Sequence, residues 1–408
     1  METIVYDMLY FLYCGINGIK PANEIVGKYR SIQNQTTDEN CINQNPEYLY
    51  QISHAHYVDA LTGMVLKQAG VKLPSSWEQS IGKAVRKVIL FDSERKKITS
   101  FMEQQGIWYL PLKGIILKDD YPLTGMRQMS DNDILFDASY AEMLRDYMIS
   151  IGYTVEAYGI GNHDIYKKEP IYNFELHRSL YGAAHDNNWQ EYYDQVKQRL
   201  IRDDDNSYGY HMKEEDFYIY IMCHGYKHYK GSGTGIRTLL DYYVYLCKHR
   251  QSMDFAYIER ECDILGIADF EKKNRELCGK VFGRSSVWTS WETVSWKEKG
   301  ALDALKSEFS ALEWEMLQYY LTSGVYGTSE HMISNQLKKC TLKNGRISKL
   351  RYIRRRLFPG KEVYGCYPFL EKHRWLVPGF WIYRMIRMVL GKESRHRILK
   401  EVKLVRDK

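Results

Sequence analysis

A change of hydrophobic period at Gly106 divides this sequence. Before it, apolar side chains recur at helical steps: Tyr48, Ile52, Ala55, Val58, Leu61 and Val65 fall on one face of a helix. Another helix opens after Pro74 with the capping-box spacing Ser75-x-x-Glu78 and turns Trp77, Ile81, Ala84, Val85 and Val88 inward. The polar, Asn- and Gln-rich stretch from Lys20 to Pro46 reads as a loop. After Gly106 the pattern becomes strand-like. Ile107-Trp108-Tyr109-Leu110-Pro111-Leu112 is a short apolar, aromatic run, and Lys113-Gly114 turns it into a short helix that ends near Tyr121-Pro122. A second strand is expected over Met129 to Phe136, then a helix from Ser139-x-x-Glu142 to Gly152, then strands at Tyr153 to Ala157, His163 to Lys167 and Ile171 to Leu176. From Glu214 the helical period returns, with Phe217 to Tyr229 and Ile236 to Lys248 on either side of the loop Gly231 to Gly235. The expected fold class is therefore α+β, a small mixed sheet embedded in a mainly helical protein. The expected divisions are a helical region at 1–105, an α/β core at 106–185, a second helical region at 186–337 and a basic helical tail at 338–408.

Composition narrows the class further. With 44% hydrophobic and 26% charged residues the chain is globular and not disordered. No window of about 18 residues is apolar and free of charge, so a membrane span is not expected. The start, Met1-Glu2-Thr3-Ile4-Val5-Tyr6-Asp7, lacks the basic stretch of a signal peptide, and the 8 cysteines form no C-x-x-C pair. Reduced thiols and a cytoplasmic location are the expectation. The net charge of +6 conceals an asymmetry: from Lys338 onward 21 Lys+Arg stand against 5 Asp+Glu, leaving 36 against 46 for the body. Such a tail suits nucleic acid, a membrane surface, an acidic partner or the acidic body itself. The last reading is favoured by the interleaving of its charges with Trp375, Phe380, Trp381 and Ile386, as in a packed amphipathic helix.

The chemistry concentrates in Ser130-Asp131-Asn132-Asp133-Ile134-Leu135-Phe136. Residues two apart on a strand share a face, so Asp131 and Asp133 present two carboxylates side by side. Like charges so close repel unless a cation joins them, and oxygen ligands of this kind suit Mg²⁺. The competing reading is a polar edge before a strand. In Tyr172-Asn173-Phe174-Glu175-Leu176-His177 alternation places Asn173, Glu175 and His177 on one face and the apolar residues on the other. A carboxylate in such a strand is costly unless paired or metal-bound, although a solvated face would also accept it. Three carboxylates on two strands are a cradle for a pair of metal ions that activate a nucleophile and hold a triphosphate.

The run Leu112-Lys113-Gly114-x-x-Leu117, Tyr121-Pro122, Arg127-x-x-x-Asp131-x-Asp133-Ile134-Leu135 and Glu175-Leu176-His177 resembles the uncharacterised nucleotidyltransferase family of the DNA polymerase β-like superfamily. The resemblance continues through His224-x-x-Lys227-His228, Arg237 and Asp241 into Tyr367-Pro368 and Pro378-x-x-Trp381-x-x-Arg384. It implies a Mg²⁺-dependent transfer of a nucleoside monophosphate from an NTP to a hydroxyl, with Asp131, Asp133 and Glu175 as metal ligands and Glu175 alternatively as general base. Lys113-Gly114 stands where the wider superfamily carries Gly-Ser or Gly-Gly; Gly114 would let backbone approach phosphate, and Lys113 would supply a cation, or be a surface lysine in a turn. Arg127 would hold a phosphate bidentately or make a surface salt bridge. His224, Lys227 and His228 share a helical face, with Lys227 near phosphate and His224, His228 and His177 toward substrate. Arg237 and Asp241 would contact the nucleotide or tie two helices together.

Some residues carry no chemistry on this reading. The Gly231 to Gly235 loop lacks a preceding strand and a closing Gly-Lys-Ser/Thr, so it is a helix connector and not a phosphate loop. The acceptor is open: a small hydroxylated molecule is favoured over a protein side chain or a tRNA end. A nucleotide-binding pseudoenzyme and an interaction scaffold are the rival functions.

Overall fold

The computed structural model describes residues 2–30, 46–182, 187–284, 296, 305–341, 348–358, 367, 370, 372–390 and 401–406. Residues 31–45, including Cys41 and most of the expected polar loop, and Cys366 and Pro368 lie outside the described residues.

The chain opens with helix α1 (Glu2–Asn17), α2 (Asn23–Arg30), α3 (Pro46–Ala55), α4 (Asp59–Gln68) and the long α5 (Ser75–Gln104). In α1, Ile4, Met8, Leu9, Phe11 and Leu12 are all fully buried. A helix apolar over so much of its girth belongs at the centre of a bundle, and α1 packs against α3, α4 and α12 (Ala268–Phe282). The expected loop after Lys20 contains α2, which Tyr29 fastens by donating its hydroxyl to Asp7 at 2.7 Å.

Two local expectations differ from the structure. The helix read through Tyr48 to Val65 is broken between α3 and α4 at Tyr57, whose φ is +56°. The cause is tertiary: His56 is drawn into the interior, its Nε2 3.2 Å from the Leu321 carbonyl and its Nδ1 accepting from the Ile236 amide at 3.4 Å. Neither expected capping box forms. Pro74 precedes α5 without a side-chain cap, and Asp137 accepts from the Ser139 amide at the turn leading to α7 (Ala141–Ser150). A capping box does form at Ser310 and Glu313, before helix Ala311–Ser323.

The sheet is built from β1 (Tyr109–Pro111), β2 (Asn132–Phe136), β3 (Thr154–Ala157), β4 (His163–Lys168) and β5 (Tyr172–His177), in the order β1-β2-β5-β4-β3. Strands β2 and β5 are parallel and all other pairs antiparallel. With the surrounding helices this makes an α+β fold. One face is apolar: Ile134, Phe136, Phe174 and Leu176 join Phe91, Ile98 and Met102 of α5 and Leu144 and Met148 of α7 in a core of their own. Asn132 shares this face and accepts from Arg95 of α5 at 2.9 Å. Strand alternation then turns Asp133 and Leu135, and Glu175 and His177, the other way.

That second face looks toward the helical region. After α6 (Gly114–Leu117), α8 (Asn187–Asp194) and the short pair β6 (Ile201–Arg202) and β7 (Tyr210–His211) come α9 (Glu214–Lys230), α10 (Ile236–His249) and α11 (Phe255–Ile264). Helices α9 and α10 cross at Gly225, where a Cβ would lie 1.6 Å from the Tyr242 hydroxyl. In the tail, Phe380 is buried against Tyr367 with ring centres 4.6 Å apart, whereas Trp375 is 77% exposed. Among the described residues no helix is long and apolar enough to cross a membrane.

Candidate active site

The turn from β1 into α6 is made by Lys113, a non-glycine residue at φ +44°. Its neighbour Leu112 donates its amide to the Asp133 carbonyl at 2.9 Å, which fixes the turn against β2. The Lys113 ammonium reaches the Asp133 carboxylate, 2.7 Å from Oδ1. His177 Nε2 donates to the same oxygen at 2.9 Å. Burial alone would raise the Asp133 carboxyl, but Lys113 and His177 outweigh it and hold it far below the ordinary carboxylate range.

The parallel register sets Asp133 directly beside Glu175. On the next strand His163 pairs with His177. The Glu175 carboxylate lies 3.6 Å from His163 Nε2 and 3.8 Å from His177 Nε2. Burial, then the Asp133 and Asp131 charges, push Glu175 up to about 8. Asp131, immediately before β2, is raised by burial and by Asp133. Among the described residues no lysine or arginine forms an ion pair within 4.0 Å with the carboxylate of either Asp131 or Glu175.

These groups line a cleft of about 310 Å³. Asp131, Asp133 and Glu175, Lys113 and Gly114, Arg127, Lys227, Arg237 and Asp241, and His177, His224 and His228 all border it. Burial, then Lys113, lower Lys227 to about 8. His224 is held well below its ordinary value by burial and Lys113. Arg237 is lowered by burial and Arg127, and donates to the Gln128 carbonyl at 3.0 Å.

Arg127 makes a salt bridge, as one reading of the sequence had it, but a buried one and with Asp241, a partner that the sequence did not indicate. The guanidinium is bidentate on the Asp241 carboxylate, at 2.9 and 3.0 Å, and Tyr121 donates its hydroxyl to the same group at 2.7 Å. This buried set ties the loop before β2 to α10. It also explains Gly114, because a Cβ there would fall 2.5 Å from Arg127 Nη1.

Sequence reasoning missed His163, Asn162, Tyr220 and Tyr326, which border the same cleft. Strand alternation from His163 was a usable signal, but only the antiparallel pairing of β4 with β5 brings it to Glu175. Among the described residues His163, Glu175 and His177 form the cluster with metal-ligand geometry, their ligand atoms within 4.8 Å of one another. The pair His224 and His228 does not join such a group.

The donor set fits a divalent cation. Asp131 and Glu175 are carboxylates of raised proton affinity with no fixed ammonium or guanidinium partner, and oxygen donors of this kind suit Mg²⁺.

A mixed sheet thus brings carboxylates from its two parallel strands into one cleft with basic residues of α9 and α10. Among protein families, residues 43–283 match the one described as uncharacterised nucleotidyltransferase. The match covers more than half of the chain, and the chain belongs to that family. It is a nucleotidyltransferase, an enzyme class that takes NTPs as substrates and generally works with divalent metals. No curated protein and no solved structure matches it.

Proposed function

We infer that the cleft binds an NTP with Mg²⁺ and transfers the nucleoside monophosphate to the hydroxyl of a small molecule, releasing pyrophosphate. The observation that carries this reading is the set Asp131, Asp133 and Glu175, two of which have no fixed cation, facing Lys227 and Arg237 across one cleft. Asp131, Asp133 and Glu175 are the residues that would hold the metal. When bound, Mg²⁺ supplies charge neutralisation for the triphosphate and lowers the pKa of the attacking hydroxyl.

The chain's own groups do the rest. Lys113 orients Asp133 through its 2.7 Å contact and adds positive charge beside the phosphates. Lys227 and Arg237 neutralise charge on the phosphates and the departing pyrophosphate. Arg127 acts on the site by bracing Asp241 and the loop that carries Asp131. Glu175 either completes the metal-binding set or takes the proton of the acceptor hydroxyl, a task to which a carboxylate of raised pKa is suited. Asn162, His163 and Tyr220 offer hydrogen bonds of the kind a polyhydroxylated or otherwise polar acceptor would use.

The test is a thermal-shift titration with ATP, GTP, CTP and UTP, each with and without Mg²⁺, followed by pyrophosphate release with the nucleotide that binds. A ligand at a hundred times its dissociation constant adds about 2.7 kcal/mol of stability, a shift of several degrees or less. The shift should require Mg²⁺ and vanish in the D131N/D133N protein. A double variant that keeps full NTP-dependent transfer would sink the reading. So would a wild-type protein that no nucleotide stabilises.

A further inference from the structure

The rim of the cleft holds an aromatic pair for which the chemistry above has no use. Tyr326 borders the cleft and is 70% exposed, yet its loop is firmly fixed. Val325 donates its amide to the Ala55 carbonyl at 2.9 Å, Thr328 donates to the Ser232 carbonyl at 2.7 Å, and the Ser232 hydroxyl donates to the Tyr326 carbonyl at 3.2 Å. Gly324 and Gly327 flank the tyrosine at φ +63° and +72°. At Gly327 a Cβ would lie 2.3 Å from the Ser232 carbonyl oxygen, so only glycine lets the loop pass.

Its partner, Tyr57, comes from the opposite part of the chain and stands in the left-handed region at φ +56°. The buried His56 beside it holds the backbone there. The two rings meet edge to face, centres 5.6 Å apart and planes at 84°, with the hydroxyls 3.0 Å apart. The Arg237 guanidinium lies 5.5 Å from the centre of the Tyr57 ring. Backbone strain in a bulky residue persists only where the surrounding structure imposes it, and such strain gathers at ligand sites. Here it sets the Tyr57 ring against Tyr326, an exposed aromatic ring on a fixed loop at the mouth of a cleft whose walls are charged.

We propose that Tyr326, braced by Tyr57, is the stacking platform for the nucleobase of the bound NTP. This rests on the reading of the cleft as a nucleotide site. The loop is fixed and the ring already rests against Tyr57, so little freedom is lost on stacking. Every base has a π-face, so the platform holds the base without choosing among the four. Tyr326 lies beyond the 43–283 stretch matched to the family, while Tyr57 lies within it.

The experiment is isothermal titration of the full chain, in Mg²⁺, with ATP and separately with inorganic tripolyphosphate, for wild type, Y326A and Y326F. Loss of one base-aromatic stack corresponds to an affinity loss of about 5- to 150-fold. Y326A should weaken ATP by that range and leave tripolyphosphate unchanged, and Y326F should stay within about twofold of wild type because the ring face is kept. An ATP affinity untouched by Y326A overturns the platform, as does an equal loss for both ligands, which would place Tyr326 in the phosphate site or in folding. Wild-type protein that binds neither ligand overturns the nucleotide reading itself, and this inference with it.

Discussion

Replacing Glu175 with glutamine should stabilise the metal-free protein at alkaline pH, although it alters the centre of the site. Strand pairing fixes Glu175 beside Asp133, and burial together with the Asp133 and Asp131 charges moves its carboxyl from 4.5 to about 8. Between these values the native state keeps a proton that the unfolded chain has released. Stability therefore falls as pH rises through this window and levels off above it. Each pH unit of such a gap is worth ~1.4 kcal/mol, which puts the full effect at about 5 kcal/mol, and solvent screening at a carboxylate 21% exposed lowers the working figure to about 2–4 kcal/mol. Glutamine has the same shape and no charge, so the variant lacks this slope. Urea denaturation of both proteins in EDTA at pH 5, 7 and 9 measures it: the two should be nearly equal at pH 5, and E175Q the more stable by about 2–4 kcal/mol at pH 9. Adding Mg²⁺ at pH 9 should close the gap by stabilising the wild type. A difference between the proteins that is the same at all three pH values refutes the reasoning.

Two further outcomes follow from the basic side of the cleft. D241N leaves the buried Arg127 guanidinium without its bidentate partner and should cost about 3–5 kcal/mol in chemical denaturation, most of it recovered in D241N/R127M; a loss under about 1 kcal/mol would mean that this pair does not hold the loop to α10. Lys227, lowered to about 8, loses its charge as pH rises from 7 to 9, so nucleotide affinity should fall over that interval, and K227M should remove that part of the slope; an identical slope in K227M would take Lys227 out of the phosphate site.

The sequence made some of this legible and withheld the rest for physical reasons. Alternation in Tyr172 to His177 was enough to turn Glu175 and His177 away from the apolar face, because a strand's period is a local property. The spacing of Asp131 and Asp133 was likewise visible, although Asp131 stands one residue before β2. Register was not visible, since Asp133 meets Glu175 only through a parallel pairing across α7, β3 and β4. The helical period through Tyr57 was misleading because the break there is imposed by His56, whose partners Ile236 and Leu321 are 180 and 265 residues away. Ser75-x-x-Glu78 had the spacing of a capping box, but the position before α5 belongs to Pro74, which has no side-chain oxygen to cap with. Arg127 and Asp241 were both singled out and both border the cleft, yet their attachment to each other spans 114 residues and has no local signature.

The way charge is divided in the cleft says what kind of ligand completes it. Asp241 has Arg127 and Tyr121, and Asp133 has Lys113 and His177. Asp131 and Glu175 are left with raised proton affinity, because burial and the neighbouring carboxylates outweigh Lys113 and the other cations nearby. On the opposing helices the imbalance has the other sign: burial and Lys113 lower Lys227, and burial and Arg127 lower Arg237, so each would gain from an anion. A bare anion relieves the helices and adds repulsion at the sheet; a bare divalent cation relieves the sheet and adds repulsion at the helices. A polyphosphate with a divalent cation relieves both. Metal and nucleotide should therefore bind with positive coupling, each raising the other's affinity by the same factor. Titrating nucleotide at a series of Mg²⁺ concentrations, after allowing for the complex the two form in solution, measures that factor, and a value of one would separate the acidic and basic walls into unrelated features.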